Sequence, residues 1–309
     1  MRKIIVGTRG SKLALIQART VIRVLQEELP QQCFELKTIK TTGDVITDIP
    51  LEKLGDKGIF IKELESALLD GEIDLAVHSM KDMPTTLPPG LCFGAIMTRE
   101  NPIDVVIGSD NYQSLAALHD GARIGSSSLR RRAQLLHHYP HLNILSIRGN
   151  LDTRLRKLKE GQFEAIVLAY AGVKRMGWID LISEEIDPSI CLPAVGQGSI
   201  AVEIREDDNE VASLVKYLNC TRSASAITAE RAFLRKLEGG CQVPVGALAC
   251  VSGERLQLEG MVASLSGELI FREKVEGLPA EAEFLGSTLA DMLLGQGCGS
   301  ILEQIRREC

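Results

Sequence analysis

The sequence predicts two α/β units followed by a smaller α+β domain with a three-stranded antiparallel sheet. Short, nearly continuous apolar runs such as residues 73–77 and 164–169 are typical of buried strands in parallel sheets, and they alternate with stretches of helical periodicity. After about residue 219 the pattern changes to one long helix and three alternating segments separated by glycine-containing turns. A chain of 309 residues is long enough for two or three domains, each with its own core.

The first unit opens with a strand over residues 3–7 and an amphipathic helix over residues 13–29, for which Ser11 is the predicted N-cap. Arg9 lies in the loop between them, where its guanidinium and the first helix amides could bind a carboxylate. After a second strand, residues 41–58 contain several glycines and lysines and show no periodicity. Long loops of this kind in compact domains favour a functional lid.

A charged segment follows the apolar run of residues 73–77 directly and reads His78-Ser79-Met80-Lys81-Asp82-Met83-Pro84. Open α/β sheets bind their ligands at the carboxyl ends of strands, so Lys81 and Asp82 are candidate site residues. Asp82 could instead be a helix or turn cap, but the prolines at 84, 88 and 89 disfavour a long helix there. His78 could be a base, although a histidine at a sheet edge is more often a structural hydrogen-bonding partner.

Charge is distributed unevenly along the chain. The net charge of −6 argues against general nucleic-acid binding, yet residues 121–175 carry eight arginines and three lysines against three acidic residues. Aromatic residues make up only 4% of the chain, too few to predict stacking platforms for single-stranded nucleic acid. The basic stretch therefore predicts a site for a small polyanion.

The arginines of this stretch follow three predicted strand ends, which meet at one edge of a parallel sheet. Because three successive arginines span most of a helix circumference, we expect Arg130 and Arg131 to bind ligand and Arg132 to be solvated or structural. Replacing Arg130 or Arg131 is then expected to have little effect on folding. The candidate anion-binding arginines in this unit are Arg130, Arg131, Arg148, Arg154 and Arg175.

Cys241 follows two glycines and precedes Val243-Pro244, so its thiol lies in a turn with little side-chain bulk beside it. A lone cysteine is more often a small buried hydrophobic residue. The eight cysteines are scattered, with neither CxxC pairs nor histidines at zinc spacing, which indicates free thiols in a reducing compartment and no metal site. The N-terminal apolar run is too short for a signal peptide and no apolar run reaches the roughly 18 residues of a membrane helix, so we expect a cytoplasmic protein.

Two other classes fit parts of this pattern. Two α/β units with anion-binding strand ends also describe a non-catalytic, two-lobed carboxylate-binding protein or sensor. A cysteine hydrolase would need a histidine near Cys241, and none of the five histidines lies beyond His141. The extra domain with its cysteine, together with the Lys81-Asp82 pair, favours an enzyme over both.

Several motifs, read in chain order, resemble the porphobilinogen deaminase (hydroxymethylbilane synthase) family over nearly the whole chain. Residues 8–15 resemble its N-terminal signature, residues 55–60 its mobile loop and residues 78–84 its catalytic loop. Arg148-Gly149-Asn150 and residues 193–198 match further motifs of the family in order.

The resemblance implies two periplasmic-binding-protein-like (type II) α/β domains and a third, α+β domain. It divides the chain into a discontinuous domain 1 (residues 1–97 and 197–218), domain 2 (98–196) and domain 3 (219–309). It also implies a cytoplasmic monomer that binds neither nucleic acid nor membrane.

The implied activity is that of a transferase of heme and tetrapyrrole biosynthesis. It joins four porphobilinogen molecules head to tail into hydroxymethylbilane and releases ammonia at each step. A dipyrromethane cofactor, attached through a thioether to Cys241, primes the chain, and Asp82 is the implied catalytic residue. No metal is implied.

The remaining site residues are expectations of the same resemblance, supported by the affinity of arginine for carboxylates. Those expected at the cofactor are Ser79, Lys81, Asp82, Ser127, Ser128, Arg130, Arg131, Arg148, Arg154 and Cys241. Those expected at the substrate are Arg9, Ser11, Lys57, Phe60, Arg148, Asn150, Arg154, Ala169, Arg175 and Gln197.

Overall fold

The computed structural model describes residues 2–41, 61–237 and 243–308. The chain forms two compact units, one of residues 1–100 with 199–225 and one of residues 101–198 with 226–309. Within the described residues, no helix combines the length and the apolar character needed to cross a membrane.

The strands are β1 (Ile4–Arg9), β2 (Phe34–Ile39), β3 (Leu75–Ser79), β4 (Leu91–Ile96), β5 (Asp104–Gly108), β6 (Arg123–Gly125), β7 (Asn143–Leu145), β8 (Ala165–Ala169), β9 (Glu184–Ile186), β10 (Ile200–Arg205), β11 (Val245–Ser252), β12 (Arg255–Ala263) and β13 (Ile270–Gly277). The α-helices are α1 (Lys12–Glu28), α2 (Lys62–Leu69), α3 (Leu129–His138), α4 (Leu151–Lys159), α5 (Tyr170–Arg175), α6 (Asn209–Val215), α7 (Thr221–Lys236), α8 (Ala282–Gly295) and α9 (Cys298–Glu308).

The first unit contains a five-stranded sheet in the order β2-β1-β3-β10-β4. Strand β1 pairs in parallel with β2 and β3, whereas β10 is antiparallel to both β3 and β4. Because β10 comes more than 100 residues after β4, this sheet is complete only when the chain returns from the second unit.

The two faces of this sheet are covered by different helices, following the period-2 alternation of strand side chains. Val77 and Val202 share an apolar cluster with Val21 of α1, so α1 covers their face. Ala76 instead joins a cluster with Leu64 of α2, which covers the opposite face.

The second unit contains a five-stranded sheet of the same plan, in the order β7-β6-β8-β5-β9. Strand β6 is parallel to β7 and β8, and β5 is antiparallel to β8 and β9. In both sheets the fourth strand is therefore an antiparallel insertion between two neighbours. The carboxyl ends of β6, β7 and β8 meet at one edge, as their sequence predicts.

The second unit also contains an antiparallel meander in the order β11-β12-β13, packed against α7, α8 and α9. Phe233 of α7 is fully buried in this core, beside Leu258 and Leu289. The predicted fold class is confirmed, since two α/β sheets are followed by an α+β part with a three-stranded antiparallel sheet. The division into three domains remains a prediction.

Candidate functional site

Asp82 lies in a tight turn at the carboxyl end of β3. Strand β3 leads into a single 3₁₀ turn, Met80–Asp82, that closes with a bond from the Met83 amide to the Met80 carbonyl at 3.1 Å. Met80 and Met83 are both buried and hold the turn against the core, whereas Asp82 between them is exposed. Lys81 is half-buried. In the part of the chain that the structure describes, no hydrogen bond or ion pair engages the Asp82 carboxylate.

A concavity of the first unit brings several predicted residues to this turn. Ser11 caps α1 by accepting a bond from the Ala14 amide at 3.3 Å, which places the start of α1 beside the end of β3. The polar residues that line the concavity are Arg9, Ser11, Gln17, Ser79 and Asp82, and His78, whose side chain is almost fully buried, borders it at the end of β3.

Gln17 is a site residue that sequence reasoning missed. Its side chain is buried on the inner face of α1 and donates from Nε2 to Ser79 Oγ at 2.9 Å. The available signal was a glutamine at a position where the helical period places apolar residues such as Val21 and Leu25. A polar side chain at such a position needs a partner, and Ser79 provides it.

Arg130 and Arg131 lie in the first turn of α3 and are both buried, held by one carboxylate that the sequence did not reveal. Arg131 donates from Nε and Nη2 to Asp104 Oδ1 at 3.0 and 2.7 Å, and Arg130 Nη1 lies 2.7 Å from Asp104 Oδ2. Burial alone would raise the pKa of Asp104, but the two guanidinium charges outweigh burial and lower it.

That replacing Arg130 or Arg131 has little effect on folding remains a prediction, but their buried contacts argue against it. Arg130 also donates to the Leu192 carbonyl at 2.7 Å, and Arg131 to the Val167 carbonyl at 2.9 Å. Their removal would leave Asp104 as an unpaired charge in the core. Arg132, in contrast, is exposed, as expected for a solvated residue.

Gln197 belongs to the same buried network. Its Nε2 donates to Asp104 Oδ1 at 2.8 Å and to the Pro102 carbonyl at 2.6 Å. Cys191 completes the network with its Sγ 3.4 Å from Asp104 Oδ2, and burial raises the pKa of this thiol to about 12. Gln197 therefore packs against the arginine pair inside the second unit.

Arg148 and Arg154 provide positive charge that no acidic side chain neutralises among the residues the structure describes. Gly149 has a φ of +107°, which favours glycine, and the turn it makes lets Arg154 Nε donate to its carbonyl at 2.9 Å. Burial, with the charges of Arg131 and Arg148, lowers the pKa of Arg154 to about 10. Arg148 Nη1 is buried and has no hydrogen-bond partner in the described ranges.

The predicted hydroxyl and amide donors beside these arginines have structural partners of their own. Ser127 Oγ donates to the Ile147 carbonyl at 2.6 Å and joins the ends of β6 and β7 next to Arg148. Ser128 caps α3 and Asn150 caps α4, each by accepting a bond from a helix amide.

Two further predicted residues lie near the end of β8. Ala169 is the last residue of β8 and precedes α5 directly. Arg175, in the last turn of α5, donates from Nη2 to the Gly198 carbonyl at 2.7 Å.

Three predicted site residues, Lys57, Phe60 and Cys241, lie outside the described residues. The structure thus groups Arg9, Ser11, Ser79 and Asp82 in the first unit. It groups Arg131, Arg148 and Arg154 in the second. In the described ranges no cluster of three or more His, Cys, Asp or Glu side chains could hold a metal ion.

This arrangement suits a ligand that carries several carboxylates. Arg148 has a buried Nη1 without a hydrogen-bond partner in the described ranges, and the charge of Arg154 is disfavoured by neighbouring arginines. A bound anion would stabilise both guanidinium groups. An exposed carboxylate beside a concavity suits a reaction that develops positive charge.

Comparison with known proteins identifies the family. The family model described as "Porphobilinogen deaminase, dipyromethane cofactor binding domain" matches residues 4–213, and that of the C-terminal domain matches residues 224–295. Porphobilinogen deaminase of Pelotomaculum thermopropionicum is 54% identical over 99% of this chain and 98% of its own length. That of Syntrophomonas wolfei is 51% identical over 99% of this chain and 100% of its own. The Escherichia coli periplasmic aliphatic sulphonate binding protein SsuA is 11% identical with a TM-score of 0.43, over 77% of this chain and 71% of its own. The chain therefore belongs to the porphobilinogen deaminase family.

Proposed function

We propose that Asp82 is the catalytic carboxylate of this transferase, which joins four porphobilinogen molecules head to tail into hydroxymethylbilane. Loss of ammonia leaves positive charge on the reacting pyrrole, and a carboxylate beside it stabilises that charge. Asp82 would also take part in proton transfer, giving a proton to the departing ammonia and taking one from the attacked ring as it becomes aromatic again. The observation that supports this role is the exposed carboxylate, without a partner in the described chain, at the carboxyl end of β3.

The arginines of the second unit fit the dipyrromethane cofactor of the family, because each of its pyrroles bears an acetate and a propionate. When bound, the dipyrromethane supplies the pyrrole carbon to which the first substrate is joined. Arg148 and Arg154 would hold its carboxylates directly, since neither is neutralised by a described acidic residue. Arg130 and Arg131 would act through charge, because Asp104 and backbone carbonyls occupy much of their donor capacity.

We assign further side chains within each unit to the cofactor and the substrate. Ser79 precedes the Asp82 turn and Lys81 lies within it, and both would donate to the cofactor. Ser127 and Ser128, between β6 and α3, would add further donors. The residues we assign to the substrate are Arg9, Ser11, Lys57, Phe60, Arg148, Asn150, Arg154, Ala169, Arg175 and Gln197.

We assign the cofactor thioether to Cys241, on the basis of its turn sequence and the family. Intact-mass spectrometry tests this assignment. The purified chain should exceed its sequence mass by two pyrrole units, and Cys241→Ser should lack the increment. Cys250→Ser, which replaces an exposed thiol on β11, is the matched control and should retain it. An increment that persists in Cys241→Ser would place the attachment elsewhere.

We further propose that the enzyme is a cytoplasmic monomer that binds no nucleic acid; the scattered thiols support a reducing compartment, and the net charge of −6 argues against nucleic-acid binding. Light scattering coupled to size exclusion should give a mass near 33.7 kDa. The alternative of a non-catalytic carboxylate-binding protein is not favoured, because the likeness to the enzymes extends over the full chain.

A further inference from the structure

A buried pair of titratable side chains lies behind the end of β3, on the face away from Gln17. His78 Nε2 is 3.0 Å from Glu203 Oε2, and the two side chains are 3% and 0% exposed. In the antiparallel register of β3 and β10, Glu203 lies opposite Ala76 and His78 opposite Ala201. Both side chains therefore leave the sheet on the face covered by α2, as Ala76 does.

A third group, Glu65 of α2, is buried over the same face. Its Oε1 has no hydrogen-bond partner in the described ranges. Burial raises the pKa of Glu65, and the Glu203 charge raises it further, whereas His78 and Lys62 oppose the change. Cys92 of β4 also lies within the electrostatic influence of Glu203. Burial raises the pKa of its thiol, and the charges of Glu206 and Glu203 raise it further.

The buried cluster of His78, Glu203 and Glu65 is not expected to stabilise the fold. Replacing a buried ion pair by apolar side chains is often neutral or stabilising, because the desolvation of two charges is so costly. The contact between His78 and Glu203 lacks hydrogen-bond alignment, and neither Glu203 oxygen has another partner in the described part of the chain. A buried group left unsatisfied in this way needs an explanation, and a role in the reaction is one of the explanations that apply.

The pair is attached to the residues that carry the Asp82 turn. Ser79, next to His78, points to the opposite face and binds Gln17 of α1. The Met80 amide donates to the Ser199 carbonyl, just before β10, at 3.0 Å. The end of β3 is thus held from α1, from the β10 backbone and from Glu203. The Asp82 carboxylate itself makes no hydrogen bond or ion pair in the described chain. The contacts of the preceding residues therefore determine where this carboxylate lies.

We propose that Glu203 is a positioning residue for the reaction: through its 3.0 Å electrostatic contact from β10 it orients the imidazole of His78 and thereby fixes the turn that presents Asp82. The inference rests on the proposed catalytic role of Asp82. Displacement of a reacting group by about 1 Å can lower a rate on the order of a hundredfold, so a loosened strand end is expected to affect turnover.

The decisive variant is the double replacement His78→Leu with Glu203→Leu, which removes both buried polar groups and leaves an apolar layer. We expect its melting temperature to equal or exceed that of the parent. In cofactor-loaded protein, checked by mass, we expect kcat to fall about tenfold or more while KM changes less than twofold, as for a loss confined to the transition state. Glu203→Gln keeps an acceptor near His78 and should fall between parent and double variant.

Asp74→Asn provides a matched control next to the other end of β3. Asp74 is buried and accepts from the Ile5 amide at 2.7 Å and from Arg2 Nη1 at 2.6 Å. This variant should lower the melting temperature yet leave kcat within twofold of the parent. A second readout is the rate at which apoprotein gains the cofactor mass from porphobilinogen, which the double variant should slow and Asp74→Asn should not.

A parental kcat and loading rate in the double variant would overturn the proposal and leave the pair a structural feature. If the double variant fails to fold, Glu203→Gln provides the test. If the activity of Glu203→Gln falls only in proportion to the fraction of that variant that is folded, the positioning role is overturned as well. Asp82→Asn, measured in parallel, separates the two levels of inference. A parental rate in Asp82→Asn removes the proposed function and this inference together, whereas an inactive Asp82→Asn beside a fully active double variant removes only the positioning role.

Discussion

Arg131 holds Asp104 at two points, with Nε and Nη2 at 3.0 and 2.7 Å from the same oxygen, and both side chains are buried. Arg130 takes the second oxygen of the same carboxylate at 2.7 Å. One buried anion thus supports two cations in the first turn of α3, where the helix dipole disfavours positive charge. Asp104 is what allows arginines at these positions.

Asp104→Asn tests this relationship. The amide keeps the shape but removes the charge, which leaves two buried guanidinium groups without a counter-ion, a loss of about 3–5 kcal/mol for a broken buried pair. We expect the urea midpoint to drop accordingly with an unchanged slope. Asp110→Asn, on the exposed segment that follows β5, is the control and should be neutral. If the unfolding free energy of Asp104→Asn lay within about 0.5 kcal/mol of the parent, the range of ordinary surface substitutions, Asp104 would not be the counter-ion that stabilises Arg130 and Arg131.

The contacts of Asp104 with Arg130 and Arg131 could not be predicted from the sequence, whereas other parts of the site could. Strand ends, their arginines and the Asp82 turn follow from local patterns, because periodicity and turn residues act over a few positions. Asp104 lies 26 residues before Arg130 at the start of a buried strand, and no local pattern distinguishes it from a strand-end acid. The pairing of β10 with β3, and with it the contact between Glu203 and His78, is non-local for the same reason.

Arg154 offers a variant in which binding and stability should separate. Burial and two like charges lower its pKa, so Arg154→Leu removes an unfavourable charge and should leave the melting temperature equal or higher. A charge-assisted bond to a ligand carboxylate contributes roughly 1.5–3 kcal/mol, so we expect a KM for porphobilinogen about ten- to a hundredfold higher, or incomplete cofactor loading by mass.

Arg156 on the same helix supplies the matched control for that experiment. It is exposed and pairs only loosely with Glu160, at 3.9 Å among the described residues. Arg156→Leu should therefore keep parental kinetics and loading. Equal behaviour of the two variants would remove Arg154 from the proposed binding site.

Glu65 should make stability depend on pH in a defined direction. Its folded-state pKa is raised above the ordinary value of 4.5, so the folded chain binds its proton more tightly than the unfolded chain. That contribution to stability is complete below about pH 4.5 and is lost as pH rises through the folded-state pKa. Glu65→Gln should thus be more stable than the parent at pH 7, with the difference shrinking toward pH 4 in parallel urea titrations. A difference that grows on acidification would contradict this sign.

The last prediction concerns the charge of Asp82 itself. Asp82 is exposed, and in the described chain its carboxylate makes no hydrogen bond or ion pair, so its removal costs the fold little. Asp82→Asn keeps the shape and part of the hydrogen bonding but cannot stabilise a positive charge that exists only transiently. Interactions made only in the transition state lower kcat while leaving ground-state binding largely intact. Asp82→Glu keeps the charge but moves it by one methylene, a displacement of about 1 Å that can lower the rate on the order of a hundredfold. We therefore expect cofactor-loaded Asp82→Asn to be nearly inactive and Asp82→Glu to be slow but measurable, both with parental melting temperatures.

Loading is verified by intact mass before each assay, because an unprimed chain would be inactive for a different reason. A loaded Asp82→Asn that turned over porphobilinogen at the parental rate would make Asp82 no more than the end of a turn.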